Sequence, residues 1–428
     1  MDTSNKDASQ GRGASRRGFL GAAAGSVGGA LLAGSAGATP PRIMHGPGLA
    51  AHDREPFHGP HQAGIATPAQ QFLYFATFDV TTDKRDELIA LLKRWTEAAA
   101  ALTAGLPLAG EEGADAVPTD GGSAQGLGPA RLTLTFGFGA ELFRKGGIDR
   151  FGIAARRPEA LIDLPKFNGD QLLPEKTGGD LCIQACADNA QVAQYAVRHL
   201  ARLGYGLVEP KWAQTGFGSG GRKGETPRNL MGFKDGTMNP TAPAEMERHV
   251  WVGDEGGWMK GGSYLVARPI RISLEHWDRM KLGFQEQVVG RHKANGAPLG
   301  QKDEFEPLKL DATDADGNYI IPENSHTRLA APQVNDGAQI LRRAYSYDNG
   351  VAHIAERWPP WRQGMMMDAG LMFLAWQRDP RSGFVKIFEN MAKFDMMNQF
   401  VTHIGSGLFA CPPGVRPGGF VGEGLFTA

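Results

Sequence analysis

The order in which strand-like and helix-like patterns follow one another constrains this 428-residue chain more than any single residue does. Residues 71–80 alternate, with Phe72, Tyr74, Ala76, Phe78 and Val80 on one face, the period of two that a half-buried strand requires. A helix is predicted from Asp83 or Lys84 to about Thr103, because Leu88, Leu91, Leu92 and Trp95 recur at helical spacing. Residues 105–130 are rich in Gly, Ala and Asp and read as a loop. Strands follow at 131–138 and 180–187, then a helix over 189–203 with Val192, Tyr195, Ala196 and His199 on one side, then a strand at 206–213. With insertions, that succession is β-α-β-β-α-β, the ferredoxin-like arrangement.

The second half repeats it. Strands are expected at 263–272, 339–347, 370–377 and 404–410, and helices at 274–284 and 383–394. The expected fold class is α+β, two ferredoxin-like domains with antiparallel sheets, over 71–222 and 223–428. Two open sheets facing each other would leave a crevice at their boundary, a favoured place for a large ligand. Length agrees with two domains, and 41% hydrophobic with 21% charged residues is ordinary for a soluble protein. A net charge of −1 without a long Lys/Arg run argues against a nucleic-acid partner.

The N-terminus reads as an address. Ser15-Arg16-Arg17-Gly18-Phe19-Leu20 opens an uncharged Gly/Ala-rich stretch running to about Pro41, the pattern of a twin-arginine signal. Ala36-Gly37-Ala38 offers a cleavage site, so residues 1–38 are expected to be a signal read by the twin-arginine export machinery. Such a protein would be periplasmic, extracellular or held at the cell envelope. Residues 39–70 read as an irregular arm. Cys182, Cys186 and Cys411 have no metal-ligand spacing. Cys182 and Cys186 share one strand face too far apart for a disulfide, so buried small side chains are expected.

The sharpest local signal is Gly232-Phe233-Lys234-Asp235-Gly236-Thr237-Met238-Asn239-Pro240. Alone it would be a tight turn. It resembles, however, the Gly-x-x-Asp-Gly signature of dye-decolourising (DyP-type) haem peroxidases. Residues 57–68, Phe-His-Gly-Pro-His-Gln-Ala-Gly-Ile-Ala-Thr-Pro, are similar to the opening block of that family's exported EfeB-like branch. Residues 325–332 resemble its proximal histidine block, 340–347 its distal arginine strand (with Ala344 where Gly is usual), and 405–414 its closing strand.

The resemblance implies one non-covalent haem b in the crevice of the C-terminal half; Cys-x-x-Cys-His, the c-type attachment motif, is absent. It implies His326 as the proximal iron ligand. Asp235 would act as acid–base catalyst and Arg342 as charge stabiliser, although Arg342 could instead be an ordinary ion-pairing residue. Gly236, Thr237, Met238, Ala331, Pro332 and Gln333 would pack near the porphyrin. The expected reaction is reduction of hydrogen peroxide by a small aromatic donor, such as a dye or phenol, through a ferryl intermediate. The alternative is deferrochelatase activity, releasing iron from haem with the porphyrin intact, alongside iron-uptake components. Oligomeric state stays open, a homo-oligomer included. Asp395 or Asn398 could hold the second ring nitrogen of His326, while a solvated helix face explains Asp395 equally well. Asp311, Asp314, Asp316 and Gly317 lack calcium-loop spacing and read as a turn. His58 and His61 read as part of a structural arm rather than metal ligands. Trp251, Trp258, Trp376 and Tyr345 could relay electrons or simply fill the core.

Overall fold

The computed structural model describes residues 53–106, 108, 113–218, 225–355 and 363–427; the expected signal segment, 1–38, lies outside them. In the first half, β1 (Phe72–Val80), α1 (Arg85–Thr103), β2 (Thr133–Gly139), β3 (Leu181–Ala187), α2 (Ala190–Leu203) and β4 (Val208–Phe217) follow the expected order. The strands lie in the order β4-β1-β3-β2 and all pair antiparallel. α2 starts where Asn189 accepts hydrogen bonds from the Gln191 and Val192 amides, satisfying donors that a helix start leaves open. α1 and α2 cover the outer face of this sheet, burying Leu88, Leu91, Leu92 and Trp95 against Phe78 and Phe136. The Trp95 indole donates to the Leu200 carbonyl at 2.7 Å and so locks one helix to the other.

The second half contributes β5 (Ser263–Ile272), α3 (Leu282–Val289), α4 (His326–Leu329), β6 (Leu341–Arg342), β7 (Tyr345–Ala355), β8 (Gln363–Gln377), α5 (Lys386–Phe394), β9 (Val401–His403) and β10 (Gly407–Cys411). Here β7-β8-β5-β10 reproduces the same strand order. The two halves are therefore ferredoxin-like, but the expected picture of two separate facing sheets needs correction. β10 pairs with β2, and β7 pairs with β4 through Phe217 and Ser346, so the array closes on itself. Phe75, Trp212, Leu265, Leu374, Trp376 and Phe409 fill the interior together with Cys182, Cys186 and Cys411, which are all free thiols. Among the described residues, these side chains fill the space where a crevice between the sheets was expected.

The β2–β10 seam is short, with two residue pairs, and the N-terminal arm completes it. Gln62 accepts from the Phe136 amide and donates to the Phe136 and Pro412 carbonyls, all at 2.9–3.0 Å. Gly64 sits at φ +92 where an added Cβ would meet Thr135 Oγ1 at 2.4 Å, so only glycine permits that approach. His58 bonds the Val415 carbonyl, and His61 bonds the Gly261 carbonyl while stacking on Trp251 at 3.8 Å. Both histidines are tied to backbone.

Three expected elements differ. The helix at 274–284 breaks into Leu274–Trp277 and α3, because the Gln285 amide takes the Trp277 and Met280 carbonyls that a continuous helix would use. The strand at 339–347 is interrupted after Arg342 and runs on to Ala355, pairing with an equally extended β8. The last strand starts at Gly407 rather than at Ile404, after Gly405 packs so closely that a Cβ would lie 2.3 Å from the Lys176 carbonyl.

Candidate active site

Alternation sends opposite side chains of β5 and β8 to opposite faces. Leu265, Ala267, Met372 and Leu374 point into the closed interior, while Ile270, Ile272, Leu371 and Phe373 line a cavity on the outer face. The opposite wall is α5, whose apolar stripe Ile387, Phe388 and Met391 faces the same space. The atom-free volume is about 1660 Å³ with its open mouth included. The cavity thus lies within the C-terminal half, beneath its short helices.

Two polar pairs stand on these walls. His326 opens α4, directly after Ser325, and its Nδ1 is 2.7 Å from Asp395 Oδ2. A carboxylate can only accept, so Nδ1 carries a proton, and in the neutral ring the lone pair is on Nε2. Asp395 is 5% exposed and also accepts from the Met397 amide at 2.8 Å. The solvated-face alternative is therefore wrong. Asn398 donates to the Met391 and Ala392 carbonyls, capping α5, and does not hold the histidine.

In the second pair, Arg342 Nη1 donates to Asp235 Oδ1 at 2.8 Å across 107 positions of sequence. Both backbones are held. The Asp235 amide donates to the Pro227 carbonyl at 2.8 Å. Asn239 donates to the Arg342 carbonyl at 2.7 Å and accepts its amide at 3.0 Å, imitating a neighbouring strand. Gly236 has φ +115, which favours glycine beside the carboxylate. Next to it, Glu304 accepts from Lys234 and, at 2.9 Å, from Thr237. Burial pushes the Glu304 carboxyl up, but these bonds and one from Thr226 outweigh it and hold the group below its usual range.

Gly236, Thr237, Met238, Ala331 and Pro332 line the cavity together with His326, Asp235 and Arg342. Gln333 is exposed and does not line it. Residues not anticipated include Asn239 as the clamp on Arg342, Glu304, and Arg291 and His403 on the cavity wall. His403 is buried, and burial followed by the nearby Arg268 charge holds its imidazole well below the ordinary histidine range. Arg268 is itself fully buried against Asp170 and the rings of Phe167, Phe384 and Phe388. No sequence pattern marks these groups. The apolar stripe of α5 was legible, but not what it faces. Of the aromatic residues considered for electron relay, Tyr345 and Trp376 fill the closed interior. Asp314 accepts the Asp316 and Asn318 amides, forming a turn.

Residues 62–218 match the N-terminal domain of the Dyp-type peroxidases, and residues 226–416 match their C-terminal domain. A dye-decolorizing peroxidase of Thermobifida fusca is 37% identical over 97% of each chain. A deferrochelatase of Escherichia coli is 34% identical over 86% of each chain. The solved structure of DtpA from Streptomyces lividans, an X-ray generated oxyferrous complex, superposes with a TM-score of 0.78 at 38% identity. That alignment covers 87% of this chain and 98% of the other.

Proposed function

The chain belongs to the DyP-type peroxidase family, and from that premise we infer a haem-dependent enzyme that reduces hydrogen peroxide with electrons from an organic donor. The cavity fits a haem by its own chemistry. Its walls are apolar over most of their area, as a porphyrin face requires, and His326, held at Nδ1 by Asp395, offers Nε2 as the ring nitrogen for a metal. When bound, haem supplies a redox-active iron at which peroxide is cleaved.

The protein's own residues would do the rest. His326 holds the metal, and Asp395, by retaining the Nδ1 proton, strengthens that donor. Asp235 Oδ1 is engaged by Arg342, whereas Oδ2 has no protein hydrogen bond among the described residues. Oδ2 would therefore receive a proton from hydrogen peroxide and return it to the oxygen that leaves as water. The guanidinium of Arg342 offers its remaining N–H groups as negative charge builds during O–O cleavage. Gly236, Thr237, Met238, Ala331 and Pro332 would line the porphyrin.

A single observation carries this reading: a carboxylate-held imidazole and a carboxylate–guanidinium pair stand on the walls of one apolar cavity. The test is the absorption spectrum of the purified protein with haemin, before and after hydrogen peroxide. A His326→Ala variant that kept the wild-type iron spectrum would rule out His326 as the ligand. The 34% identity to a deferrochelatase supports iron release from haem as the alternative activity. Iron-free protoporphyrin fluorescence, absent after incubation with haem under reducing conditions, would reject it. Export through the twin-arginine route rests on Arg16-Arg17; Arg16→Lys with Arg17→Lys should retain the protein in the cytoplasm on fractionation.

A further inference from the structure

Away from the cavity, the outer ends of β7 and β8 form a two-stranded ribbon. Residues 351–355 and 363–367 pair only with each other among the described residues, whereas β5 takes over the pairing of β8 from Gly370 onward. In the ribbon, Val351 lies opposite Met367 and His353 lies opposite Met365. Residues directly opposite share a face, as do residues two apart on one strand. One face therefore carries His353, Met365 and Met367 beside Val351, and all four are exposed. Met365 is 67% and Met367 44% accessible, so neither fills a core, and neither lines the haem cavity. Opposite residues on adjoining strands hold their Cβ atoms about 4.5–5.5 Å apart. At that spacing two long, flexible thioethers and one imidazole can meet at a single point.

Two thioether sulfurs and an imidazole nitrogen are a soft and wholly neutral ligand set. Thioethers select copper(I), whereas calcium, magnesium and manganese prefer carboxylate or carbonyl oxygen and zinc is satisfied by nitrogen, oxygen or thiolate. Hard ligands gather elsewhere. Among the described residues, the cluster of His, Cys, Asp and Glu is Asp79, Glu141 and Asp180, whose charge Lys145, Lys211 and Arg150 already balance. The remaining soft ligands, Cys182, Cys186 and Cys411, are sealed in the closed interior. We propose that His353, Met365 and Met367 form a surface binding site for copper(I). The site is separate from the haem cavity and does not depend on the haem reading.

The test sets the haem-loaded full chain, without oxygen, against bicinchoninate, whose coloured copper(I) complex fades as the protein withdraws the metal. Wild type should withdraw one equivalent, with sulfur bound to copper in X-ray absorption. Met365→Leu combined with Met367→Leu keeps volume and apolarity but removes both sulfurs. It should weaken copper(I) binding by about 100-fold, since losing even an outer partner of a metal ligand costs about 10–100-fold. His353→Gln should weaken it by about tenfold. Both variants should keep the wild-type haem spectrum and denaturant midpoint, because substitutions at exposed positions change stability little. Unchanged affinity in the double variant would overturn the site and assign the copper to the cysteines. A wild-type protein that withdraws no copper, or that binds it through nitrogen and oxygen alone, would overturn it as well. Unchanged affinity in His353→Gln would overturn the three-ligand assignment.

Discussion

The two halves share one strand order, yet they treat the outer face of their sheets differently. In the N-terminal half, α1 and α2 have 19 and 14 residues and cover its central strands. β2 and β3 are consequently buried at every position. In the C-terminal half, α4 and α5 have four and nine residues, and Ile270, Ile272, Leu371 and Phe373 face a cavity. Apolar surface left uncovered forgoes about 25 cal/mol per Å² of burial. The central strands of one half are therefore sealed by its own helices, whereas the other half leaves apolar surface for a ligand to cover. The same strand order thus occurs twice, and the cavity lies where the covering helices are short.

The largest effect should come from chemistry confined to the open half. Asp235→Asn should slow the reaction with hydrogen peroxide by about 10²–10⁴-fold in stopped-flow absorbance, with haem content unchanged. A loss below tenfold would remove Asp235 from the mechanism. Next, Leu91→Ala in the sealed half should cost about 2–5 kcal/mol in denaturant unfolding, equally with and without haem. Phe388→Ala on the cavity wall should instead cost more in the haem-loaded protein than in the apoprotein. Equal costs in both states would break the contrast between the halves.

Removing haem should be felt unevenly too. A ligand at 100 times its Kd contributes about 2.7 kcal/mol, and hydrogen exchange should show that loss in α4, α5 and β9. Amides of α1, α2 and β3 should be less affected in their local openings. Uniform deprotection would mean that the halves respond as one. The smallest effect concerns His403, whose folded-state pKa is depressed. Below pH about 6.5 the unfolded chain binds a proton there that the folded chain refuses, so stability falls as pH falls toward the depressed value. His403→Gln should flatten that decline by at most about 1.4 kcal/mol per pH unit, read from chemical denaturation between pH 6.5 and 4.5. An unchanged slope would mean that His403 titrates alike in both states.

Much of this architecture was legible beforehand. The alternation at 71–80 and 263–272 and the helical spacing of Leu88, Leu91, Leu92 and Trp95 are short-range patterns, and the elements formed there. The outer parts of β7 and β8 were missed because they are largely exposed, with Met365 67% and Val351 63% accessible, and no buried face imposes a period on them. The motif around Asp235 and the blocks around His326 and Arg342 marked the right neighbourhood. Arg291, Asn239 and Glu304 carried no such signal. An arginine in an ordinary loop looks the same whether or not it meets a carbonyl, a cavity or another cation.

By itself, the order of residues determined most element types, the repeated topology and the family to which the chain belongs, because each depends on spacing along the chain. Tertiary structure alone decided that the two sheets close into one array, that the cavity lies outside it, and that Asp395 rather than Asn398 holds His326. Those outcomes depend on contacts between residues far apart in the chain, such as His326 with Asp395 across 69 positions and Phe138 with Ala410, and on which helices are long enough to cover a sheet. They are properties of packing, which no local period encodes.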